Sequence, residues 1–176
     1  MVDLILLHGR PASGKLTVAN HLNTMIGSRV FHNHLTIDVA KSLFDFGEPE
    51  FWDLVTELRL ISYRSFFDHG SGSAVATWCY EEPEDLETFL EVKSIAASAK
   101  ARVLPVFLNC DIPILESRVG NEHRVDMKKL TDVEQLRKII SKKNHCPVPD
   151  DQCLNLDSGL HSAKSNAQRI ISNFGL

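Results

Sequence analysis

No stretch of this 176-residue chain comes near the ~18 consecutive apolar residues of a membrane-spanning helix. An integral membrane protein is therefore not expected. The opening segment MVDLILLHGRP lacks the basic start, longer apolar run and small-residue cleavage site of an export signal, and it reads instead as a strand. Excess positive charge is also missing. With a formal net charge of −4 the chain has no global attraction for nucleic acid or an anionic membrane, and a small ligand suits it better. The four cysteines, Cys79, Cys110, Cys146 and Cys153, form no CxxC pair. A zinc site from His145, Cys146 and Cys153 would have poor spacing, so reduced thiols and a cytoplasmic location are expected. Internal repeats, low-complexity tracts and linkers are absent as well, which leaves one compact domain over residues 1–176.

What is present is alternation. Short β-rich apolar runs at 2–8, 29–32, 73–79, 102–109 and 152–157 alternate with helical patterns at 15–26, 36–44, 49–69, 83–100, 112–119, 131–143 and 161–174. That rhythm predicts an α/β fold of three layers, with a parallel sheet of five strands and helices on both faces. Pro49 and Pro83 suit first helical turns, Gly70 suits a helix stop, and Thr131 with Glu134 matches a capping box.

Gly9, Gly14 and Lys15 match G-x-x-x-x-G-K between the apolar strand LILLH and the helical pattern LTVANHLNTM, which is the context such a match requires. Residues Gly9, Arg10, Pro11, Ala12, Ser13, Gly14, Lys15, Leu16 and Thr17 are thus the candidate cradle for a nucleotide triphosphate. Glycines let successive N–H groups point inward, the helix start adds partial positive charge, and Lys15 reaches the β- and γ-phosphates. Leu16 departs from the pattern. An isobutyl group cannot coordinate Mg²⁺, which is usually held here by a Ser or Thr hydroxyl. Thr17 does not simply replace it, because one helical step turns the side chain by about 100°.

With these residues the chain resembles the P-loop small-molecule kinases, among them shikimate kinase, gluconate kinase, chloramphenicol phosphotransferase and the nucleoside monophosphate kinases. It is most similar to a bacterial branch with a GKLT loop followed by FHNHLT. The resemblance implies a P-loop fold with a small lid at about 119–131, ATP and Mg²⁺ as cofactors, and a small-molecule phosphate acceptor. It also implies a monomer or homodimer with no nucleic-acid or membrane partner. By the match of DIPILESRVGNEHR, Arg118 is the adenine-side residue and Arg124 the lid arginine. Charge agrees, since Arg118, Arg124, Lys128, Lys129, Arg137, Lys138, Lys142 and Lys143 cluster in an otherwise acidic protein.

FHNHLTIDV places His32, Asn33 and His34 at strand ends, where open α/β sheets build ligand sites. Asp38 is the expected proton acceptor, or a metal ligand through water, although relatives carry two Asp residues where this chain has Asn33. After the third strand, TWCYEE carries no Asp in the usual metal-binding place. Glu81 is the nearest acid and the second candidate for water-mediated Mg²⁺, while Trp78 and Tyr80 are candidates for the acceptor pocket. Arg59, in the long helical pattern, is by analogy the arginine for an anionic acceptor. Lys15, Asp38 and Arg124 make up the expected catalytic set. Asp157 and Ser158 lie in the turn that contacts adenine in relatives, or form a cap.

The expected activity is transfer of the γ-phosphate of ATP to a small hydroxylated or phosphorylated metabolite. Shikimate itself fits poorly, because the acidic pair and the Gly-rich acceptor loop are missing. A nucleotide-binding switch with weak ATPase or GTPase turnover is the alternative class, motivated by Leu16; the base-reading NKxD motif of GTPases is absent.

Overall fold

The computed structural model describes residues 2–121 and 130–176. Five strands, β1 (Asp3–His8), β2 (Arg29–Phe31), β3 (Ser73–Trp78), β4 (Arg102–Asn109) and β5 (Leu154–Asp157), pair in the order β2-β3-β1-β4-β5. Every pairing is parallel. The helices α1 (Lys15–Ile26), α2 (His34–Lys41), α3 (Pro49–His69), α4 (Leu86–Ser98), α5 (Ile112–Val119), α6 (Val133–Lys142) and α7 (Ala163–Phe174) connect them.

All six residues of β1 are buried, as expected for a central strand covered on both faces. Its side chains alternate. Ile5 and Leu7 pack with Val18, Ala19 and Leu22 of α1 and with Ala167 and Ile170 of α7. Leu4 and Leu6 pack with Tyr63 and Phe67 of α3 and with Phe89, Val92 and Ala96 of α4. The sheet is thus the middle of three layers. At its lower edge Asp3 and Arg102, paired in register across β1 and β4, form a bidentate ion pair at 2.7 and 2.8 Å. A satellite core of Ile37, Ala40, Phe51 and Val55 holds α2 against α3.

Several boundaries differ from the sequence expectation. Helix α2 runs over His34–Lys41 rather than 36–44. Helix α4 begins at Leu86, so Pro83 precedes it instead of opening its first turn. The cap of α6 is Asp132, whose side chain accepts from Gln135 N–H at 2.8 Å, in place of Thr131. Gly70 does end α3, in extended backbone. No helix among the described residues is long and apolar enough to cross a membrane.

Candidate functional site

The carboxyl ends of β1, β2 and β3 open into a cavity of about 1180 Å³. One end is the loop after β1. Gly9, Ala12 and Gly14 have φ of 134°, 64° and 86°, so the chain curls through left-handed conformations on its way into α1. Glycine is required at position 9, because a Cβ there would lie 2.6 Å from the Leu108 carbonyl oxygen of β4. Gly14 caps α1, whose first residue is Lys15. Lys15 Nζ donates to the carbonyls of Gly9 and Arg10, each at 2.7 Å, which folds the side chain back over its own loop. Pro11, Ala12, Ser13, Gly14, Lys15, Leu16 and Thr17 all line the cavity. This end suits oligophosphate: a curled glycine-bearing loop, a helix N-terminus and a cation in one concavity.

The same end offers no ligand to Mg²⁺ at position 16. Leu16 packs against the core beneath α1, and no group of three His, Cys, Asp or Glu residues able to hold a metal occurs among the described residues. That also removes the zinc arrangement of His145, Cys146 and Cys153; the cysteines are free, and Cys153 Sγ lies 3.6 Å from His8 Nε2.

The other end is walled by α2, α3 and the segment after β3. His32, Asn33, His34, Arg59, Trp78 and Glu81 line it. Arg59 is only 4% exposed. Its guanidinium stacks 4.8 Å above the Trp78 ring and its Nη2 donates to Asn33 Oδ1 at 2.6 Å. Asn33 is held in turn by its N–H, which donates to Thr77 Oγ1 at 3.0 Å. No carboxylate among the described residues pairs with Arg59, and burial lowers its pKa from the ordinary arginine value. Asp85 lies close enough for its charge to favour the guanidinium without forming an ion pair, so Arg59 is a buried cation on the cavity wall with no ion-pair partner among the described residues.

Two sequence assignments are corrected. Asp38 does not line the cavity; it is exposed. The inward stripe of α2 is His34, Ile37 and Lys41, and Asp38 lies one residue past Ile37, about 100° around the helix. Neither proton transfer nor water-mediated metal binding can be assigned to it. Tyr80 is 0% exposed and belongs to the core beneath the pocket, edge-on to Trp78 and Phe89, with its hydroxyl donating to Glu82 Oε1 at 2.8 Å. Burial raises its pKa, so it is a neutral packing residue.

Glu81 lines the cavity but is ion-paired with Lys143, just beyond α6. Arg118 sits beside the loop rather than in the cavity wall: its Nη2 donates to the Ser158 carbonyl at 2.7 Å, and a Cβ on Gly14 would be 4.0 Å from its Nη1. Asp157 Oδ1 accepts from the N–H groups of Gly159 and Leu160 at 2.7 and 2.8 Å, which makes it a turn cap. Arg124, Lys128, Lys129 and most of the expected lid fall outside the described residues.

Three cavity residues are not expected there from the sequence, which offers His145 only as a zinc ligand. Asp85 Oδ2 accepts from Glu81 N–H at 3.0 Å, and burial pushes its pKa up to about 6. His145 is 8% exposed; its Nδ1 donates to the Tyr80 carbonyl at 2.9 Å, and burial, with Lys15 nearby, keeps the ring neutral. Trp52, from the first turn of α3, also lines the cavity. Below the loop His8 is held neutral by burial, first, and by Lys15, with a pKa of about 3.

No protein-family model matches the sequence, and no curated protein sequence does. Solved structures match over nearly the full length. A candidate kinase of Chloroflexus aurantiacus superposes with a TM-score of 0.71 at 16% identity, covering 98% of this chain and 96% of that one. A gluconokinase of Sinorhizobium meliloti gives 0.67 at 11% identity, covering 98% and 91%. The APS kinase of Mycobacterium tuberculosis, solved with AMPPNP and APS, gives 0.62 at 16% identity, covering 99% of this chain and 98% of that one. The chain therefore has the α/β fold of the P-loop small-molecule kinases.

Proposed function

We propose that the protein is an ATP-dependent phosphotransferase acting on a small hydroxylated or phosphorylated metabolite. One observation carries this reading: the Lys15 loop and the buried Arg59 guanidinium are walls of the same cavity. A volume of about 1180 Å³ exceeds the usual ~300–1,000 Å³ of a single-ligand pocket, which suits two substrates side by side. The described neighbours of this fold are kinases of small molecules, and one of them was solved with a nucleotide analogue.

In this reading the amides of residues 9–14 and the start of α1 hold the phosphates. Lys15 exchanges its two carbonyl partners for β- and γ-oxygens and balances charge that builds during transfer. Arg118 lies on the adenine side, and Arg124 closes from the lid. Arg59 takes an anionic group of the acceptor, while His32 and His34 orient the attacking hydroxyl. Magnesium bound with the nucleotide would supply further charge neutralisation; no side chain here is assigned to it.

Thermal shift tests the reading. ATP and ADP at millimolar concentration raise the midpoint of the wild type, since a ligand of the folded state stabilises it. Lys15→Ala weakens that shift and abolishes ADP formation without unfolding the chain. No shift with any nucleotide would remove the proposal. The Leu16 side chain and the Glu81–Lys143 pair favour a second reading, a nucleotide-binding switch with feeble turnover. A metabolite panel read by ADP release separates the two, because a switch gains nothing from any acceptor.

A further inference from the structure

Phosphoryl transfer to a hydroxyl releases a proton, and the group that receives it must be fixed near the acceptor and free to change charge. Among the described residues five acids face the cavity: Asp53, Glu57, Glu81, Glu84 and Asp85. Asp53, Glu57 and Glu84 are exposed at its rim, where water already solvates them. Glu81 is neutralised by Lys143. Asp38 lies off the cavity.

Asp85 differs from all of these. It is half-buried at the start of α4, and the Glu81 N–H pins one carboxyl oxygen at 3.0 Å. The second oxygen makes no hydrogen bond among the described residues, and no cation pairs with the carboxyl. The groups facing it are Arg59 from α3 and Lys143 from beyond α6, which favour its charged form. Glu81 in its own loop disfavours that form, and Tyr80 also lies nearby. It thus shares the acceptor end with the cation proposed to hold the acceptor.

Resting on the phosphotransferase reading, we propose that Asp85 is the proton acceptor of the transfer. The acceptor oxygen bonds to the γ-phosphorus as the bond from that phosphorus to the β,γ-bridging oxygen breaks. The electron pair of the broken bond stays with ADP. The hydroxyl proton passes to the unpinned oxygen of Asp85, and from there to solvent after the products leave. Burial, the largest influence on the carboxyl, brings it close to the acidity at which a base is both largely ionised and able to hold a proton near neutral pH.

The test uses the full chain with Mg-ATP and water as the acceptor, read as ADP release from pH 5 to 9. In the wild type the rate rises through about pH 6 to a plateau. Asp85→Asn, whose side-chain oxygen still accepts from the Glu81 N–H, loses that limb and lowers the plateau about 100-fold. Its ATP-induced thermal shift stays equal to that of the wild type, which a merely structural role would not predict. Asp85→Glu recovers part of the rate and keeps a pH limb. An Asn variant that retains both rate and limb overturns the assignment and leaves the phosphotransferase reading standing. A wild type that binds ATP but releases no ADP also overturns it. A wild type that ATP does not stabilise overturns both.

Discussion

Replacing Arg59 by methionine separates what binding requires from what folding requires. Burying a guanidinium costs several kcal/mol even after the protein relaxes around it. Two contacts offset part of that: the Trp78 face at 4.8 Å contributes up to about 2 kcal/mol, and the charged hydrogen bond to Asn33 about 1.5 to 3 kcal/mol. The sum is close to zero or unfavourable, because among the described residues no carboxylate pairs with the guanidinium and Asp85 acts on it only from beyond ion-pair distance. Methionine fills most of the same volume over Trp78 without the desolvation cost. Arg59→Met is therefore expected to leave stability unchanged or raise it by up to about 2 kcal/mol in urea unfolding, or about 4 to 8 °C in midpoint at the upper end. An anion reverses the order. With ADP saturating the loop, sulfate at ten times its dissociation constant stabilises the wild type by about 1.4 kcal/mol and the variant by nothing. A variant destabilised by more than about 1 kcal/mol, or one that sulfate stabilises as much as the wild type, would show that Arg59 is a structural cation and refute the reasoning.

Gly9→Ala meets both a φ of 134° and the Leu108 carbonyl 2.6 Å from the new methyl, and a strand backbone cannot retreat. We expect a loss of about 3 kcal/mol or more by denaturant unfolding, whereas Gly27→Ala, with open space around it, costs about 1 kcal/mol. Leu16→Ser restores the missing hydroxyl and should increase the Mg²⁺ dependence of ATP affinity in calorimetric titration; equal affinity ratios with and without Mg²⁺ in both proteins would count against that. Asp85 titrates near 6 in the fold against 3.8 normally, so the folded state holds the proton more tightly. Its contribution is favourable at low pH, is lost as pH rises from about 4 through 6, and leaves a penalty above that. Asp85→Asn should be more stable than the wild type at pH 8 by about 1 to 2 kcal/mol once partial exposure is discounted, with the gap closing near pH 4. A destabilised variant at pH 8 would contradict it.

The curled turn from β1 into α1 was legible because everything it needs is local: glycines at set positions, a lysine, a strand before and a helix after. The strands were legible because burial on both faces demands continuous apolar runs, as in β1 and β4. Asp38 misled because an acid beside a motif looks functional until the helix phase is known. Tyr80 misled because two residues beyond a strand end do not show whether the chain has left the core.

The order of residues alone determined the parallel α/β architecture, the glycine-bearing turn from β1 into α1 and the candidacy of His32, Asn33 and His34, since these follow from spacing and periodicity, while Arg59 was a candidate by family resemblance. Only the tertiary structure decided that Arg59 is buried with no ion-pair partner among the described residues, that Lys143 pairs with Glu81, and that Asp85 and His145 join the cavity. Charge compensation depends on which distant segments meet, and residues 59, 81, 85, 143 and 145 meet only when α3, α6 and the turn after β3 pack around one opening.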